Sequence, residues 1–370
     1  SHSSVENDFI TNGFWAKNYK EELPNEGLYI DFIVRIEDVT TQVLNGVTDE
    51  MSTKEKQSKI DSNSSQINKA VSKEEWQKSK IKAFYKGNQY FLFITETFED
   101  IRLVGAPPVS IGKFGSDTDN WVWPRHTGDF SMFRIYADKN NRPAKYHKDN
   151  VPYTPKHFLP ISLDGVSEGD FTLVFGFPGR TNEYLPAVAL EQITQKVNPS
   201  RIAIREATLN VMDEAMKKDN KTRIQYASKQ ARIANAWKKW IGENLGIEKS
   251  NAIAKKRGFE ANFQELVKEK GLENKYVAIL PEFEKLYKEF EPINVKRNDF
   301  IEVFIRNNEL MQGMFRLYQM EMTLKKGEAS FNKAKESTVN RFKGIHKNYN
   351  ATLDKNVYEA IMPLYSDNVD

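Results

Sequence analysis

The chain has 370 residues, 39% of them hydrophobic and 28% charged, a composition that fits a folded protein with room for two domains. Its 54 basic residues nearly balance 51 acidic ones, for a net charge of +3, and that leaves no electrostatic case for nucleic-acid binding. Cysteine is absent, which excludes disulfides and thiolate zinc sites.

No run approaches the roughly 18 apolar residues needed to span a bilayer. The opening residues Ser1-His2-Ser3-Ser4-Val5-Glu6 do not make a signal peptide and no start methionine is present, so a mature product or an excised piece of a longer protein is expected.

In chain order, Gly27 to Val39 has the apolar, β-branched content of a strand. From Leu44 to Lys80 the sequence is rich in Ser, Asn, Lys and Gln, and reads as a partly helical surface excursion with Trp76 as a packing anchor. Lys82–Tyr85 and Gln89–Phe98 flank Lys86-Gly87-Asn88, the pattern of a hairpin. Gly112 to Gly128 is rich in Gly, Asp, Asn, Pro and Trp, as an irregular loop should be. Phe130 to Tyr136 then reads as a buried strand, with Phe158–Leu163 and Phe171–Phe175 as two more.

From about Pro186 the pattern turns helical. Asn198-Pro199 looks like a helix start, with Asn as cap and Pro in the first turn. Ile202, Leu209, Met212 and Met216 fall close to one face, as do Ile224, Ala227, Ala231, Ala234 and Trp237 in a following helix that Gly242 and Gly246 help to end. Further helices are expected over Phe283–Phe290 and Phe300–Leu324. The chain is thus of the α+β class, β-rich over residues 1–183 and α-helical over 184–370.

Asp129 stands where the loop meets the strand. A carboxylate entering a buried strand is costly unless a cationic or hydrogen-bonding partner receives it, and chymotrypsin-type peptidases keep the acid that orients their histidine at such a place. Other candidates are weaker. Gly165-Val166-Ser167-Glu168-Gly169 matches a G-x-S-x-G nucleophile elbow, but a strand rather than a helix is expected after it, so a turn is the better account. Asp117, Asp119 and Asn120 resemble part of a calcium loop that lacks its glycine and distal glutamate. No histidine pair has metal-ligand spacing; His126 lies close to Asp129, and His2 precedes it without a strand leading in. No metal site and no cofactor are expected. From periodicity alone, Asn235 is a helix-surface or helix-pairing residue, and Trp121, Trp123 and Phe130 are core.

The run Gly115 to Ser131 (GSDTDNWVWPRHTGDFS) resembles the signature of the bacterial dipeptidyl-peptidase 7 and 11 family of serine exopeptidases. Ser1 to Glu22, Arg102 to Pro108, Gly176 to Thr181 and Asn235-Ala236-Trp237-Lys238 are similar to that family too, so the resemblance covers most of the first 245 residues. It implies part of a chymotrypsin-like double β-barrel followed by an all-α cap domain. It also implies that Asp129 is the triad aspartate, and that Asn120, Trp121 and Asn235 hold the free α-amino group of a peptide substrate. A homodimer in the periplasm or on the surface of a Gram-negative bacterium is implied as well. The family's histidine motif and its Gly-Asn-Ser-Gly-type serine loop are both absent from this sequence. An inactive internal fragment of a serine dipeptidyl-peptidase is therefore expected. The alternatives are a non-catalytic peptide-binding module and a metal-dependent enzyme using the 117–120 loop.

Overall fold

A computed structural model describes the chain apart from Ser1, Asp117, Asp119, Phe175, residues 177–181, Glu183 and Asp370, and apart from the side chains of residues 326 and 367–369. Among the described residues, every strand precedes residue 153. The strands are β1 (Phe14–Trp15), β2 (Leu23–Pro24), β3 (Ile30–Asp38), β4 (Gln77–Phe84), β5 (Gln89–Phe98), β6 (Asp100–Ala106), β7 (Met132–Ala137) and β8 (Val151–Pro152). Four helices lie among them: α1 (Phe9–Asn12), α2 (Thr40–Val43), α3 (Thr53–Ala70) and α4 (Val109–Gly112).

Two antiparallel sheets result, one ordered β3-β5-β4 and the other β1-β6-β7-β8 with β2 also on β6. The expected hairpin is present, Phe84 facing Gln89 across a tight turn at Tyr85–Gly87. Tyr90, Leu92 and Ile94 of β5 are buried on one face and pack against α2 and α3, while Phe93 on the other face is buried as well, stacked on Phe84. Helix α3 fills the polar excursion and is started by a capping box between Ser52 and Glu55. Trp76 is half-buried, donates to Glu96 at 3.2 Å and lies under Arg142.

Beyond residue 186 the chain is helical: α5 (Ala187–Gln192), α6 (Asn198–Lys218), α7 (Asn220–Lys249), α8 (Ala252–Glu269), α9 (Glu273–Tyr276), α10 (Ile279–Phe300), α11 (Glu309–Met322), α12 (Glu328–Lys347) and α13 (Ala351–Val369). Ile204, Leu209 and Met212 of α6, Tyr226, Ile233 and Ala234 of α7, and Leu353, Val357 and Ile361 of α13 form one buried core. Beside it Arg205 pairs with Glu302 at 2.7 Å, their side chains only 8% and 5% exposed.

Several expectations are corrected. Phe158–Leu163 and the described part of Phe171–Phe175 form no strand. Their apolar side chains, such as Phe158 and Val174, are 72–99% exposed. The β-type sequence is there, but no described strand pairs with it, and an unpaired strand cannot satisfy its backbone polar groups. The strand after Asp129 begins at Met132 and is buried only at its far end, Tyr136 and Ala137. Asn198 is not a cap, because a π-type turn over Ile193–Val197 joins α5 to α6 and its wider ring tolerates the N–H missing at Pro199. Buried Asn198 donates instead to Glu243 and Asn244. Gly242 and Gly246 do not end α7, which runs to Lys249; tertiary packing overrides a propensity penalty of about 1 kcal/mol each. The described strands do not by themselves make a double barrel.

Candidate functional site: an amide and indole cluster between loop and helix

The central loop leaves the sheet at Ala106 and returns at β7. Its root is closed by the Gly128 N–H, which donates to the Ile111 carbonyl at 3.0 Å, and by the Thr127 hydroxyl, which donates to the carbonyls of Gly112 at 2.8 Å and Ile111 at 3.2 Å. A Cβ at Gly128 would sit 3.0 Å from Ile111 Cγ2, so only glycine permits this closure without movement. Thr127 was not singled out by sequence. A threonine in a polar loop gives no sign of such a role.

The loop carries Asn120 and Trp121 to α7. Asn120 Nδ2 donates to Asn235 Oδ1 at 3.2 Å, and Trp121 Nε1 donates to both Asn235 Oδ1 at 3.1 Å and its backbone oxygen at 3.0 Å. Two adjacent loop residues and a third at least 114 positions away thus converge on one spot. Trp121 is 56% exposed and takes a positive φ of 59°. It is not core, and neither are Trp123 and Phe130. Strain of this kind is kept where the surroundings over-determine a residue.

From the helical side, Ile233 and Ala234 are buried in the core and leave Asn235 facing outward. Arg205 holds this turn of α7 from behind, with its Nη1 on the Ile233 carbonyl at 3.1 Å while its Nε engages Glu302.

Asp129 is exposed, three residues before β7, so it does not bear the burial cost expected of it. No hydrogen bond or ion pair of its carboxylate is seen among the described residues. The neighbouring Phe130 ring packs against Trp15, centroids 6.1 Å apart, and Trp15 lies over Gly105 of β6.

The other candidates separate from this cluster. Residues 165–169 form an exposed turn in which the Ser167 N–H donates to Asp170 and the Asp170 N–H returns to Ser167, with no helix after it. His2 binds Asn25 at 3.1 Å, and His126 is exposed. Asp117 and Asp119 lie outside the described residues, as does most of Gly176–Thr181. Among the described residues no cluster of metal-ligating side chains occurs, and no helix is long and apolar enough to cross a membrane.

An exposed indole ring and two side-chain amides thus meet where the central loop reaches the helix. Comparison with known proteins gives this site a family: the sequence matches Peptidase S46 over residues 1–370, and the chain belongs to that family. It is 55% identical over 367 residues to an Asp/Glu-specific dipeptidyl-peptidase of Flavobacterium psychrophilum, covering 99% of this chain and 52% of that protein. It is 40% identical over 380 residues to dipeptidyl-peptidase 7 of Phocaeicola vulgatus, covering 100% of this chain and 52% of the relative. The structure is similar to that of Porphyromonas endodontalis DPP11 in complex with the dipeptide Arg-Glu, with a TM-score of 0.82 at 33% identity. That match covers 99% of this chain and 53% of the other. The chain spans about half the length of the relatives it matches.

Proposed function

We propose that this chain serves a serine dipeptidyl-peptidase that releases dipeptides from the free N-terminus of peptides, and that it supplies the amine-binding end of the cleft together with the triad aspartate. The observation that carries this reading is the convergence of Asn120, Trp121 and Asn235 at 3.0–3.2 Å. Asn120 donates through Nδ2, which leaves its Oδ1 as an acceptor. Asn235 Oδ1 already accepts from Asn120 and Trp121 and so holds the two in place, and the exposed Trp121 ring offers a π face. Together they suit an ammonium group, which brings three donors and a charge attracted by an indole.

In this reading residues 1–183 are part of a chymotrypsin-like peptidase domain and residues 184–370 are a helical cap that lends Asn235. Asp129, exposed and without a described partner, is free to accept the ring N–H of a histidine, fix its tautomer and stabilise the imidazolium. Serine attacks the second peptide bond and histidine passes its proton to the leaving amine. This sequence contains neither family motif for those two residues, so the full-length gene product is the species to assay.

Two relatives at 54–55% identity are named Asp/Glu-specific, and an acidic side chain before the scissile bond is the corresponding expectation. A homodimer in the periplasm or at the cell surface is the family's further implication for the whole protein.

The test is cleavage of one peptide ending in a free amine and of its N-acetylated twin, across acidic and hydrophobic side chains before the cut. Loss of a dipeptide from the free form alone supports the reading. Equal cleavage of both removes the amine role of the three residues. No cleavage across the panel favours a non-catalytic peptide-binding module.

A further inference from the structure

We propose that Asp8, Thr11 and Arg223 form a polar latch that positions the amine site, by fixing α7 against the root of the central loop so that Asn235 meets Asn120 and Trp121. The proposal rests on the amine-site reading above. Arg223 lies in the first turn of α7, where its Nε donates to Asn220 Oδ1 at 2.8 Å and so orients the guanidinium. Its Nη2 reaches Asp8 Oδ2 at 2.7 Å and the Thr11 hydroxyl oxygen at 3.1 Å. The Thr11 hydroxyl in turn donates to Asp8 Oδ2 at 2.7 Å, closing a three-membered network. Side-chain exposures of 17% for Asp8 and 30% for Arg223 leave the pair partly exposed. Hydrogen bonding by Thr11, aided by Arg223, holds the Asp8 carboxyl below its usual range, so both partners are charged at neutral pH.

What Arg223 grips matters. Helix α1 packs against α4, the short helix from which the central loop springs. The residue ending α1, Gly13, has a φ of 72°, and a Cβ there would lie 3.0 Å from both Ala106 O and Pro108. Only glycine lets α1 sit this close to the start of the loop. Arg223 and Asn235 are twelve positions apart on one helix, or about 18 Å along its axis. One attachment would let a rod pivot; two separated ones fix its direction. The network at the start of α7 therefore sets where Asn235 falls relative to the loop it must meet.

Steady-state kinetics of the full-length gene product on a free-amine peptide test this. Arg223→Gln and Asp8→Asn should each raise KM about fivefold, the scale of a partly exposed pair, with kcat unchanged within about twofold. Asp8→Asn keeps an acceptor for the α1 cap while losing its charge. The double variant should be no worse than either single one, because both break the same pair. Arg223→Lys should recover part of the loss. Asn235→Ala is the control. If it raises KM while Arg223→Gln and Asp8→Asn do not, the latch is wrong and the amine site stands. If all three leave KM unchanged, the amine site itself is wrong and the latch falls with it. If the latch variants lower kcat and Tm together with KM unmoved, the network is merely structural and the proposal is overturned.

Discussion

The Trp121 indole N–H is shared between the side-chain oxygen of Asn235 at 3.1 Å and its backbone oxygen at 3.0 Å. A donor held by two oxygens of one residue fixes both the ring and the amide, so Asn235 holds Trp121, and through its side-chain oxygen Asn120 as well, in one orientation. On the proposed amine site, Asn235→Ala removes the acceptor that holds Asn120 and Trp121 in place for the substrate ammonium, and losing a hydrogen bond to such a charged group costs about 1.5–3 kcal/mol. We expect kcat/KM on free-amine peptides to fall about ten- to a hundredfold, mostly through KM. An unchanged value would remove Asn235 from the site.

None of Asn120, Trp121 and Asn235 carries an ionisable side chain, so in the proposed amine site the charge that responds to pH is the substrate's own. An α-amino group is protonated below about pH 8 and loses its charge above it. KM should therefore be flat on the acid side and rise as pH passes through that value. A peptide whose N-terminal amine has a lower pKa should shift the rise downward by the same amount. Measuring KM from pH 6.5 to about 9.5 with both peptides checks this, and a rise that ignores the peptide's amine pKa contradicts it.

Local pattern revealed the strand at Ile30–Asp38, the hairpin of β4 and β5 and the helical run after residue 186, because period and turn chemistry act over a few residues. It did not reveal the pairing of Asn120 and Trp121 with Asn235. On a helix an outward Asn beside buried Ile233 and Ala234 looks like any solvated residue, and only contact across more than a hundred positions gives it a task. Resemblance to a family, not periodicity, singled it out. The missing strands at 158–163 and 171–174 show the converse limit. Sequence states a preference for extended backbone, but a strand exists only where a neighbour takes its hydrogen bonds. The strand-like sequence after Asp129 predicts a buried and therefore costly carboxylate. It is exposed, so its place before β7, rather than its burial, supports the triad reading.

On the proposed triad reading, Asp129→Asn would keep the shape and lose the acceptor charge that holds a histidine in its working tautomer. In chymotrypsin-type peptidases that change lowers turnover by about four orders of magnitude, and the same is expected for the full-length gene product. KM should change little, since in the triad reading the carboxylate acts on the histidine and not on the peptide. Burst-free single-turnover kinetics on an ester substrate would separate this from a binding defect. Turnover near the unmutated level would rule Asp129 out of the triad.

A last prediction concerns the sheet beneath the loop. Asp100 is buried, and burial alone would raise its pKa, but the fork of Arg102 and the Asn150 amide outweigh that and hold the carboxyl below its usual range. Arg102 meets it with Nε at 2.9 Å and Nη2 at 2.8 Å, a bidentate pair, and also lies 3.6 Å over the Tyr136 ring. Tyr136 is next to the end of β7, and its hydroxyl donates to Glu22 at 2.8 Å. Desolvation first, then the Glu22 carboxylate, push that phenol up to about 12. A carboxyl depressed in the folded state contributes stability that is fully present above its unfolded pKa, near 3.9, and is lost as pH falls through the lower folded value. Asp100→Asn should therefore cost about 2–3 kcal/mol at pH 7, leaving Arg102 buried and unpaired. The gap to the unmutated chain should hold from neutral pH down to about pH 4 and close only below it. Urea unfolding of this 370-residue chain at a series of pH values measures both numbers. A gap that narrows already between about pH 7 and 5 would mean that some other group, not Asp100, carries the linkage.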